Sequence, residues 1–97
     1  MTDTLKRTRE YLTDPKHWTK GELFRDANGN PCFRTEASCA CLVGATVLVD
    51  PLDAAGRRDA YELLDSLLDD MPLVVFNDLE TTTHADVLAL LDKAIGS

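Results

Sequence analysis

The stretch Ala37-Ser38-Cys39-Ala40-Cys41-Leu42-Val43-Gly44-Ala45-Thr46-Val47-Leu48-Val49 decides the reading of this chain, because it is the longest run without a charge. It holds two of the three cysteines. The run is too short to cross a bilayer and has polar sequence on both sides, so it reads as the all-round buried central element of a small domain. Val43, Thr46, Val47 and Val49 favour strand, whereas Ala37, Ala40, Leu42 and Ala45 favour helix. Length decides between them, since strands usually end within about eight residues, and predicts a helix from Thr35 or Glu36 to Val49. Gly44 would cost such a helix about 1 kcal/mol relative to Ala. Its presence implies the close approach of another backbone, or a bend if the run is extended.

Upstream, Thr2 or Asp3 can cap a helix reaching Leu12, with Leu5, Thr8, Tyr11 and Leu12 on one face and basic residues outside. Asp14-Pro15 opens one or two further turns that carry Trp18 inward and end near Lys20-Gly21. Asp26-Ala27-Asn28-Gly29-Asn30-Pro31 is dense in turn formers between Leu23-Phe24 and Cys32-Phe33. This predicts a small β-hairpin or hairpin-like loop, with Phe24 and Phe33 packed on the helices and Pro31 confining its second strand to an edge.

Downstream, Asp50-Pro51 ends the central run. Ala60, Tyr61, Leu64, Leu67 and Leu68 recur at helical spacing from Arg57 to Leu68. Met71-Pro72 breaks that helix, and Leu73-Val74-Val75-Phe76 reads as a short, buried, extended segment leading into a polar loop from Asn77 to Thr82. Thr83 and Asp86 form a capping box for a last helix whose inner face is Val87, Leu88, Leu91, Ala94 and Ile95. The expectation is one mainly α domain over residues 1–97, a compact bundle of about four helices around the buried central one.

The composition is 44 % apolar and 28 % charged, ordinary for a globular protein. A formal charge of -7 argues against direct binding of nucleic acid, whose phosphates require clustered Lys and Arg. Lys6, Arg7, Arg9, Lys16, Lys20 and Arg25 crowd the first quarter, while the second half is acidic. That polarity suits a partner with a basic surface, or self-association into a homodimer. No apolar leader follows Met1, so a location in the cytoplasm of whatever cell makes the protein is expected, with no membrane partner.

Cys41 or Cys39, His84 and Asp78 or Asn77 supply the residue types of a nucleophile, its base and the group that orients the base. Two features oppose that reading. An apolar run disfavours a thiolate, and a helix N-terminus disfavours the imidazolium that would hold one. His17, Cys32, Cys39, Cys41 and His84 lack the ligand spacing of a zinc site, and the glycines form no phosphate-cradling pattern, so neither metal nor cofactor is expected. Trp18 fits a core position better than an interface anchor.

The segments His17-Trp18-Thr19-Lys20-Gly21, Asp26-Ala27-Asn28-Gly29, Cys41-Leu42-Val43-Gly44-Ala45, Phe76-Asn77-Asp78 and Thr83-His84-Ala85-Asp86-Val87 resemble, in order, an uncharacterised family of small bacterial and tailed-phage proteins, a domain of unknown function. The shared motifs are Trp-x-x-Gly, Cys-x-x-Gly-Ala and aromatic-Asn-Asp. The resemblance implies a compact, mostly helical fold and a phage or prophage origin, and it carries no established activity. Small acidic phage proteins often act by binding and blocking a host protein. The leading expectation is therefore a non-enzymatic interaction module with an acidic face of Asp59, Glu62, Asp65, Asp69, Asp70, Asp78, Glu80 and Asp86. The alternative is a cysteine-dependent hydrolase or transferase using Cys41, His84 and Asp78.

Overall fold

The computed structural model describes residues 3–69 and 71–96. Thr2, Asp70 and Ser97, which the sequence offered as a cap, an acidic site residue and a fraying end, lie outside them. The described chain is mainly helical, with α1 (Asp3–Leu12), β1 (Phe24–Arg25), β2 (Cys39–Ala40), α2 (Leu42–Val49), α3 (Ala54–Ser66), α4 (Leu73–Asp78) and α5 (His84–Ile95). Helix α1 packs against α2, α5 and α3, and α2 also touches α3 and α4. Leu5, Leu12, Leu42, Leu64, Leu73, Val87 and Leu91 are fully buried and form the centre of the core. Each is worth about 1.5–3 kcal/mol as burial of apolar surface.

The central run divides, where a continuous helix was expected. Cys39 and Ala40 are extended and pair antiparallel with β1, in the register Phe24 with Ala40 and Arg25 with Cys39. The chain then turns at Cys41 into α2. Two acceptors start the helix there: the Cys41 sulfur takes the Gly44 N–H at 3.4 Å, and the Asn77 side-chain oxygen takes the Leu42 N–H at 3.1 Å. These bonds occupy N–H groups that a helix leaves without an internal partner at its start. The β-branched residues of the run are tolerated because packing on several sides outweighs their modest helix penalty.

Three further differences have simple causes. The expected hairpin is present as two strands, but the partner of Phe24–Arg25 is Cys39–Ala40, and Pro31 contributes only an isolated bridge to Arg25. The Asp26 carboxylate accepts the N–H groups of Asn28 and Asn30, which closes the turn locally and leaves β1 free to pair elsewhere. Phe24 is half-buried, whereas Phe33 is 80 % exposed rather than packed on a helix. The segment after Pro72 is helical and not extended: the Asp65 carboxylate accepts the Leu73 N–H and starts α4. Leu73 and Asn77 then face inward one turn apart, and Val74 and Val75 point to solvent. Helix α3 begins earlier than expected because Asp53 caps it through the Gly56 N–H, and Tyr61 lies on its exposed side. The Thr83–Asp86 capping box is formed as expected.

The close approach at Gly44 is real. A Cβ built there would fall on the Leu23 carbonyl oxygen, which is itself held by the Cys41 N–H at 3.1 Å and cannot easily move. Gly44→Ala should therefore destabilise the protein by roughly 2 kcal/mol, although Ala is about 1 kcal/mol the better helix former. Chemical denaturation of the two proteins checks this.

Asp50, at the end of α2, joins α1 to the loop that follows. Its carboxylate accepts from Arg7 at 2.9 and 2.7 Å and from the Thr4 hydroxyl. These bonds, Arg7 first, hold the carboxyl below its ordinary range. A carboxyl lowered on folding contributes stability above its unfolded pKa of about 3.9 and loses it as pH falls through the folded value. Asp50→Asn should thus lower the melting temperature at neutral pH, and its gap from wild type should close as melts are taken below about pH 4.

Candidate functional site

The residues offered for catalysis do not share one set of hydrogen bonds. Cys41 is 4 % exposed, and its sulfur is occupied as the cap of α2. Burial pushes its thiol up, and the N–H groups of Gly44 and Val43 offset this only in part. His84 stands at the start of α5, where its Nε2 meets the Leu12 carbonyl at 2.5 Å. Because a carbonyl only accepts, Nε2 carries the proton of that bond. The ring lies 6.1 Å from the Trp18 ring. Asp78 accepts the Gly21 N–H and one Asn77 side-chain N–H, each at 2.9 Å.

Cys41 and Asp78 do line one cavity, about 230 Å³ in volume, together with Gly21, Glu22, Leu23 and Val74. His84 is not part of its lining. The arrangement supplies a nearly covered thiol and a carboxylate engaged in backbone bonding, without an imidazole between them. Cys32 and Cys39 are half-buried free thiols, and burial first, then the charges of Asp26 and Glu36, pushes Cys32 up. Among the described residues no group of His, Cys, Asp and Glu is placed to hold a metal ion.

The acidic set separates into two kinds. Asp65, Asp78 and Asp86 are hydrogen-bond acceptors for the fold, on the N–H groups of Leu73, Gly21 and Thr83. Asp59, Glu62, Asp69 and Glu80 are exposed. Asp59 and Glu62 lie three residues apart on α3, and Asp69 continues that stripe just beyond the helix.

The cations divide in the same way, with Lys6, Lys16, Arg34, Arg58 and Lys93 exposed. Arg7 and Arg9 bond Asp50 and Asp92, Arg57 bonds the carbonyls of Asp50 and Pro51, Arg25 those of Gly29 and Lys20, and Lys20 that of Leu79. Five of the ten Lys and Arg residues are thus engaged within the fold.

Two features escape a reading of the sequence. Asn77, placed there in a polar loop, is 1 % exposed. Its side-chain oxygen accepts the Trp18 indole N–H at 2.7 Å as well as the Leu42 N–H, and its amide donates to the Thr19 carbonyl at 3.1 Å. The second is a groove of about 510 Å³ lined by Leu23, Phe24, Cys32 and Phe33 with Glu22, Arg34 and Thr35. The Asn-Asp pair beside an aromatic was a visible signal for the first, and nothing local marked the second.

Cysteine alkylation resolved by mass spectrometry tests this description. Cys41 should react about 100-fold or more slower in the folded protein than in denaturant at the same pH, since reaction requires opening of the cap. Fast labelling of Cys41 with an apparent pKa below the free-thiol value of about 8.5 would contradict it.

No curated protein and no solved structure matches the chain. No helix among the described residues is long and apolar enough to cross a membrane. The model of one family of unknown function, DUF6197, matches residues 1–97, and the chain belongs to that family.

Proposed function

We propose that this protein is a small non-enzymatic interaction module that binds a protein partner with a basic surface through an acidic face on and around α3. The observation that carries the reading is the exposed acid on and just beyond α3 in a chain of formal charge -7. Asp59, Glu62, Asp69 and Glu80 face solvent, and Arg58, next to Asp59 in sequence, is the exposed cation that offsets them in part. A field of one sign outside the molecule steers a partner of the opposite sign and costs little stability at separated surface sites. Asp65, Asp78 and Asp86, occupied by the fold, contribute charge to that field but not free hydrogen-bonding capacity. Asp70 extends the stripe in sequence. The resemblance to phage and bacterial proteins makes the partner, on this reading, a host protein in the bacterial cytoplasm, inhibited when its basic surface is covered.

The hydrolase or transferase alternative has less support. It needs an accessible thiolate, and Cys41 is covered, raised in pKa by burial and bonded to the Gly44 N–H.

The test is retention of bacterial lysate proteins on the immobilised chain at about 50 mM and about 500 mM salt, beside a variant with Asp59→Lys, Glu62→Lys and Asp69→Lys. Proteins held by the wild type at low salt should be lost at high salt and lost to the variant, and Cys41→Ser should retain them. Equal retention by the charge-reversed variant, or loss with Cys41→Ser in a protein that still folds, overturns the reading.

A further inference from the structure

The apolar groove beside Phe33 plays no part in the acidic face and has its own geometry. One wall is the segment 22–24 and the other the segment 32–35. Leu23 is 50 % exposed and Phe33 80 % exposed, so a phenyl ring stands in water at the mouth of a hollow with an apolar floor. Through Glu22 and Leu23 the hollow continues to the smaller cavity, where Val74 is 45 % exposed. Scattered apolar side chains are ordinary on a surface, but a continuous patch with a projecting aromatic ring is the form of an association site.

We propose that the occupant is a second copy of this chain, with each copy's Phe33 entering the groove of the other about a two-fold axis. Two observations select a copy over another partner. The projecting ring and the hollow belong to one patch, which makes the patch self-complementary, as a two-fold interface requires. Arg34 follows the ring on one wall and Glu22 stands on the other, so the two-fold arrangement sets Arg34 of each copy against Glu22 of its mate. Each chain carries a formal charge of -7, so long-range repulsion limits the affinity at low salt, and screening relieves it. The dimer therefore survives salt that would dissolve binding through the acidic face, and the two proposals fail separately.

Sedimentation velocity from about 1 to about 500 µM, repeated at about 500 mM salt, is the test. The wild type should pass from the 10.7 kDa monomer to a species of twice that mass, and Phe33→Asp should remain monomeric throughout. Phe33 is so exposed that the variant keeps the fold, which circular dichroism verifies. Arg34→Glu and Glu22→Arg should each weaken association about tenfold, and the double variant should recover most of that loss. A wild type that stays monomeric across the range overturns the proposal and leaves the groove to a different occupant. Unchanged dimerisation of Phe33→Asp, or a double variant no stronger than the single ones, overturns it equally.

Discussion

The structure depends on a buried amide. Asn77, on the inner side of a helix of only six residues, binds the Trp18 indole, the Thr19 carbonyl and the first N–H of α2. Three segments far apart in sequence thereby share one polar group. A buried amide is costly unless its donors and acceptors are met, so the arrangement is tolerated only when all three segments are in place. That requirement makes α4, the loop after α1 and the start of the central helix a cooperative unit. It also explains why a polar residue occupies a position that packing alone would give to Leu.

A second polar junction closes the opposite end of α2. Asp50 receives Thr4 and Arg7 from α1 through its side chain, and its carbonyl receives Arg57 from α3. The central helix is thus fixed at its N-terminus by Cys41 and Asn77 and at its C-terminus by Asp50. Its middle is held by apolar contact, with Gly44 admitting the Leu23 backbone. The strands contribute little area, but they deliver Leu23 to that contact and leave Phe33 outside.

These commitments shape what the surface can do. Groups with chemical potential, Cys41 and Asp78 among them, are engaged in holding the fold, and His84 is engaged with Leu12. The exposed surface includes charge on α3 and an apolar groove between two loop segments, the two features on which the proposed interactions rest. The positive charge crowded into the first quarter of the sequence is in part paired within the chain: Arg7 and Arg9 reach acidic residues of the second half, and Lys20 and Arg25 reach backbone carbonyls, while Lys6 and Lys16 stay exposed.

The long helices α1, α3 and α5 were legible because ten or more residues display a 3.6-residue period, and Thr83 with Asp86 marked a start by local bonding. Gly44 likewise announced a close contact, since an unfavourable helix residue requires a reason. The sequence by itself therefore determined helical class, central burial, net charge and the absence of a conventional ligand spacing. Only the tertiary structure decided that the central run divides at Cys41, that β1 pairs with Cys39–Ala40, that the segment after Pro72 coils, and that Asn77 is buried. Each of these turns on a bond between residues distant in sequence or on a short segment with no readable period, and such choices are settled by which distant groups find each other when the core closes. The separation of Cys41 from His84 belongs to the same class, because residue types are local and distances are not.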